Sequence, residues 1–194
     1  MNTQETKVVV GEIRLSYVHV FEPVAVGNSA DKKYSVSLII PKSNTKLVEE
    51  TKAAIKAAYT DGITSKWQGK EPAKGTWKNP LRDGDIERSE DEAYQGAYFL
   101  NATSKTAPGV VKMNPTGNPK YVAITAQEEL YSGCFGYVSV NFYPFVNTGN
   151  KGVACGLNNV LKTRDGEFMG GRASAESDFN GLEINANLDD NDIF

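Results

Sequence analysis

The stretch from Cys134 to Lys162 limits the fold of this chain more than any other: two long runs of alternating character flank Asn147-Thr148-Gly149-Asn150. Such a pattern predicts a β-hairpin, because Asn and Gly accept the backbone angles of a tight reversal between strands. In the first arm, Val138, Val140 and Phe142 share one side, and Tyr137, Ser139, Asn141, Tyr143 and Phe145 share the other. Successive side chains of a strand point to opposite faces, so the aliphatic set is the natural core side. The mixed set of Tyr, Phe, Ser and Asn predicts an outer platform for stacking and adaptable hydrogen bonding.

Other segments repeat the two-residue period. From Lys7 to Phe21, the pattern places Val9, Ile13, Leu15, Tyr17 and Phe21 on one side and Glu12, Arg14 and Ser16 on the other. Tyr34 to Ile40 reads as a strand closed by Pro41, and Ala97 to Thr103 as another. Val110 to Met113 pairs with Tyr121 to Thr125 across a turn containing Pro115, Gly117 and Pro119. One helix interrupts them. Ser43 and Asn44 are capping residues, Leu47, Val48, Thr51, Ile55, Ala58 and Tyr59 form its face, and Gly62 marks its end. The expectation is a mainly β domain over residues 1–175, a small barrel or sandwich with one main α-helix.

Arg172 is the last basic residue, and Glu176, Asp178, Glu183, Asp189, Asp190 and Asp192 follow it. Residues 176–194 are too polar and acidic to offset their ordering entropy by burial, so a disordered tail is expected. Its last residues, Ile193 and Phe194, are apolar and follow Asp189, Asp190 and Asp192. That tip suits an anchor that enters a partner's pocket while its carboxylates meet Lys or Arg. Six of the chain's 24 acids fall in the tail, so residues 1–175 carry 21 basic against 18 acidic side chains. A mildly basic body joined to an acidic tail suggests a polyanion-binding surface with a built-in competitor.

The basic residues concentrate between the helix and Asp85, where Lys66, Lys70, Lys74, Lys78 and Arg82 alternate with Trp67 and Trp77. Gly69, Pro72, Gly75 and Pro80 exclude a regular helix there, leaving a cationic loop that carries both tryptophans. Lysine beside tryptophan suits stacking of bases with neutralisation of phosphates. The bland alternative is that the tryptophans pack on the barrel and the lysines are solvated.

Enzymatic chemistry has little support. Asp83, Asp85, Glu87, Glu90, Asp91 and Glu92 have the chemistry to hold Mg²⁺ for phosphodiester cleavage, so a metal-dependent recombination nuclease is one competing reading. Arg82-Asp83-Gly84-Asp85 is, however, a turn sequence first. A β module that binds protein rather than DNA is the other competitor. Cys134, Cys155 and the single His19 make no zinc pattern, and no cofactor motif is legible. With no apolar run of membrane-spanning length and no apolar leader at the start, the expected location is cytoplasmic.

Several ordered blocks resemble the phage and prophage single-stranded DNA-binding proteins, formerly a domain of unknown function. They include Gly11-Glu12-Ile13-Arg14-Leu15-Ser16-Tyr17, Lys33 to Lys42, Pro80 to Asp85, Tyr98 to Lys105, Tyr131 to Cys134, Val140 to Tyr143 and Gly149 to Val160. The resemblance covers nearly all of residues 7–180. It implies an OB-fold barrel with insertions and sequence-tolerant binding of single-stranded DNA in phage replication or recombination, in the bacterial host cytoplasm. Lys66, Trp67, Lys70, Lys74, Trp77, Lys78, Arg82, Lys105, Tyr137, Tyr143 and Phe145 are the candidate DNA contacts. The tail resembles the acidic, Phe-terminated tips that dock on replication and repair enzymes, although Asn191 interrupts its acidic run and no proline separates Ile193 from Phe194.

Overall fold

The computed structural model describes residues 5–25, 31–73, 75–147 and 149–170. Its strands are β1 (Lys7–Ala25), β2 (Lys32–Pro41), β3 (Arg82–Asp83), β4 (Ala97–Ser104), β5 (Gly109–Met113), β6 (Tyr121–Ala123), β7 (Phe135–Asn147) and β8 (Asn150–Arg164). A long helix, α1 (Thr45–Ser65), follows β2, and a single-turn helix, α2 (Gly84–Glu87), follows β3. Antiparallel pairing joins β2 to β1, β4 to β2, β7 to β1 and β8 to β7. A parallel contact between Thr103 on β4 and Gly156 on β8 closes the ring. The result is a five-stranded barrel of OB-fold type with insertions, one of which is the β5–β6 arm attached in parallel to β8.

The expected alternation of β7 holds: Val138, Val140 and Phe142 are almost wholly buried inside the barrel, in one core with Val36, Leu38, Ile40 and Leu100. In α1, Leu47, Val48, Thr51, Ile55 and Ala58 are buried, and the Asn44 side chain caps the helix by accepting from the Leu47 N–H. The helix does not stop at Gly62. It runs on to Ser65, because Gly62 serves close packing rather than termination. A β-carbon there would lie 2.7 Å from Pro144 of β7 and 2.9 Å from the Trp67 ring.

The single-sided reading of β1 is also corrected. Register shifts between Val10 and Ile13, and between Ser16 and His19, each move the chain by one position. A one-residue slip exchanges the two faces of a strand. Val10, Ile13, Leu15 and Val20 therefore line the interior, whereas Val9 and Tyr17 are at least half exposed.

A smaller core of Ile39, Tyr94, Ala97 and Phe99 lies apart from the main one, and the buried Tyr94 hydroxyl donates to Ser37 Oγ at 3.0 Å. The insertion bearing Tyr94 is fastened by Lys42, whose ammonium lies 2.6 Å from Asp83 and 2.7 Å from Asp85. Cys134 and Cys155 are buried thiols. Among the described residues, no helix is long and apolar enough to cross a membrane.

Candidate nucleic-acid interface

The outer side of β7 carries Tyr137, Ser139, Asn141, Tyr143 and Phe145, as its period requires. Tyr137 is 37 % and Tyr143 42 % exposed, while Phe145 is half-buried. The neighbouring strands explain how these rings are seated. A β-carbon at Gly11 would come within 2.7 Å of the Tyr137 ring, one at Gly156 within 3.2 Å of Tyr143, and one at Gly152 within 2.9 Å of Phe145. Each aromatic thus covers bare glycine backbone on the next strand, the packing by which rings compensate for missing side chains in a sheet. Burial, and then the nearby Cys155 thiol, pushes the Tyr143 phenol above its ordinary pKa, so it is a neutral hydrogen-bonding group at neutral pH.

This face continues round the barrel. Ser35 pairs with Thr103, Thr103 with Gly156, Gly156 with Asn141, and Asn141 with Lys7, so these five share one exterior band. Lys105, just past β4, has a side chain 75 % exposed and lies 3.8 Å from Asp31. Beside Tyr143, a cleft of about 650 Å³ is lined by Lys66, Pro144, Phe145 and Val146, and by Asp61, whose carboxylate accepts from the Ser65 hydroxyl. The fold therefore brings Lys66 together with Tyr143 and Phe145, although more than 70 positions separate them in sequence.

The basic loop divides differently from the expectation. Trp67 is corrected: it is only 1 % exposed, donates its indole N–H to the Phe145 carbonyl at 3.2 Å and meets Tyr59 edge-on at 5.1 Å. No face of it is open to a base. Trp77 is half-buried, 4.8 Å from Tyr59, and lines a cleft of about 580 Å³ with Ile55, Leu81, Lys52 and Lys56. Lys70 and Lys78 are exposed, and the Lys78 backbone is hydrogen-bonded to Lys151 and Val153 of β8. Arg82 pairs with Glu87 and lies 4.9 Å over the Phe99 ring. Lys74 and the tail residues Asp189, Asp190, Asp192, Ile193 and Phe194 lie outside the described residues.

Sequence reasoning missed a second cation–aromatic cluster. The Arg88 guanidinium sits 5.0 Å from the rings of both Tyr17 and Tyr94 and donates to the Tyr17 hydroxyl at 2.9 Å. Tyr17 is half exposed and holds a positive φ of 47°. No local pattern identifies this pair, because 71 positions separate the two residues.

The acidic stretch is arranged for structure. Asp83 and Asp85 are engaged by Lys42, Glu87 by Arg82, and the Asp91 side chain accepts from the Ala93 N–H. The hydrogen bond from Lys42, followed by the one from the Gly96 N–H, holds the Asp85 carboxyl below its ordinary pKa. Among the described residues, no three His, Cys, Asp or Glu side chains gather as a metal site.

Comparison with known proteins matches the chain to one family. The model of the single-stranded DNA-binding protein of Enterobacter phage Enc34 matches residues 6–193. Protein p50 of Acyrthosiphon pisum secondary endosymbiont phage 1 is 36 % identical over 187 residues, which span 92 % of this chain and 95 % of that protein. Among solved structures, the Enc34 protein in complex with single-stranded DNA superposes with a TM-score of 0.72 at 22 % identity, covering 85 % of this chain and 90 % of that one. The single-stranded DNA-binding protein gp2.5 of bacteriophage T7 has the same fold at a TM-score of 0.55 and 16 % identity, covering 92 % of this chain and 96 % of that one. With a match that spans nearly the whole chain, this protein belongs to the Enc34 single-stranded DNA-binding protein family.

Proposed function

We propose that this chain binds single-stranded DNA with little regard to sequence and covers it during phage replication or recombination in the host cytoplasm. The observation that carries the reading is the family match over residues 6–193, since a solved relative is a complex with single-stranded DNA. The open face of β7 supports it: Tyr137 and Tyr143 present rings for stacking, while Lys66 and Lys105 supply charge for phosphates. OB-folds also bind oligonucleotides on their second and third strands, which here are β2 and β4. Of the six carboxylates a nuclease would draw on, Asp83, Asp85, Glu87 and Asp91 are committed to ion pairs and a cap, which weighs against that reading.

Fluorescence anisotropy with labelled oligo-dT tests the reading. Binding is expected to favour single strands over duplex and to weaken steeply with salt, because each Lys or Arg contact releases condensed counterions. The labelled strand should persist uncut in Mg²⁺. Equal affinity for duplex, or no affinity at low salt, would overturn the proposal.

The acidic segment is read as a recruiting tail for replication or recombination proteins. Deleting residues 176–194 is expected to leave the melting temperature unchanged and to tighten oligo-dT binding at low salt, because six carboxylates no longer compete with phosphates. Low-salt affinity that does not change would show that the tail never visits the DNA surface.

A further inference from the structure

The register carries the aromatic face beyond the barrel. Tyr137 pairs with Leu161, Leu161 with Val111, and Val111 with Ala123, so all four lie on one side of the sheet. Two positions along the arm, Met113 and Tyr121 pair on that same side. Met113 is 49 % and Tyr121 43 % exposed, and the Lys120 ammonium lies 5.2 Å from the Tyr121 ring. The other side of the arm is occupied: Lys112 is paired with Glu129, and Val110 and Ile124 are buried in the main core. One face of β5–β6 is thus consumed by the fold, and the other is left open.

Charge says what the open face takes. Its paired positions, from Lys7 and Val9 on β1 through β7, β8 and β5 to Tyr121 on β6, include no Asp or Glu. Beside the aliphatic Val9, Leu161, Val111 and Met113, the rings, small polar side chains and Lys7 suit a polyanion that offers flat bases, and the one acid at the edge of this face, Glu12, is held by Thr163 and Arg164. We infer that the β5–β6 arm is an outlying contact for single-stranded DNA, with Tyr121 supporting a base and Lys120 meeting a phosphate. This rests on the proposed function above. Three strand spacings separate β7 from β6, about 14 Å. At the stacked spacing of about 3.4 Å per nucleotide, the arm is reached only when the strand extends roughly four nucleotides beyond Tyr137.

The test is a series of labelled oligo-dT of increasing length, bound to the wild-type chain and to Tyr121→Ala. The shortest oligomers that bind are expected to show no difference, while longer ones lose roughly five- to a hundredfold in affinity. Lys120→Glu should act in the same direction and serves as the readout if Tyr121→Ala lowers the melting temperature. Equal binding by both variants and wild type at every length would overturn the inference, as would an equal loss at every length. A change in sedimentation without DNA would assign the arm to a protein interface instead. Absence of wild-type binding at all lengths would remove the functional reading beneath it, a result distinct from any effect of Tyr121.

Discussion

Trp67→Ala is expected to lower the unfolding free energy by about 3–5 kcal/mol, the usual cost of removing a large buried aromatic. The side chain fills the space between α1 and β7, against Gly62 and Tyr59. Its loss also removes the hydrogen bond that the indole N–H donates to the Phe145 carbonyl. Chemical denaturation should show a lower midpoint. Oligo-dT affinity of the folded protein should be nearly unchanged, apart from a small effect through Phe145. Trp67→Phe should recover part of the packing but not the hydrogen bond. A variant that kept full stability yet bound DNA weakly would make Trp67 a base contact.

Replacing Tyr137 and Tyr143 together should have the opposite signature. Stacking of a base on one aromatic is worth about 1–3 kcal/mol, so the double variant is expected to lose at least tenfold in oligo-dT affinity. Both rings are more than a third exposed and cover glycine backbone, so the melting temperature should fall only modestly. Phe142→Ala, by contrast, removes a side chain 1 % exposed inside the barrel and should cost about 3–5 kcal/mol of stability. Anisotropy and thermal melts on the three proteins separate the two faces of β7. If the tyrosine pair destabilised the chain as much as Phe142→Ala and left binding untouched, this face would be a second core.

Much of the architecture was legible because its signals are local. The β7–β8 hairpin follows from a two-residue period and a turn of Asn and Gly, and both are properties of adjacent residues. The same holds for the Asn44 cap and the buried stripe of α1. The two faces of β7 were legible for the same reason: once Val138, Val140 and Phe142 face inward, Tyr137 and Tyr143 must face outward.

What failed depended on distant neighbours. Trp67 and Trp77 look alike in sequence, each near lysines, yet the first is buried against Gly62 and Tyr59 and donates its indole N–H to the carbonyl of Phe145, 78 positions away. Gly62 reads as a helix stop until Pro144 is seen to need the space. Arg88 carries no local signal, and only the sheet sets Tyr17, Tyr94 and Phe99 around it.

By itself, then, the sequence determined the strands, the helix face and the two faces of β7, because periodicity and turn chemistry act over a few residues. Only the tertiary structure decided where β1 changes sides, how Thr103 and Gly156 close the barrel, which tryptophan is core and how far the aromatic face extends onto the arm. Each of these is set by which strand or ring lies alongside, and that adjacency is created by packing rather than by neighbouring residues in the chain.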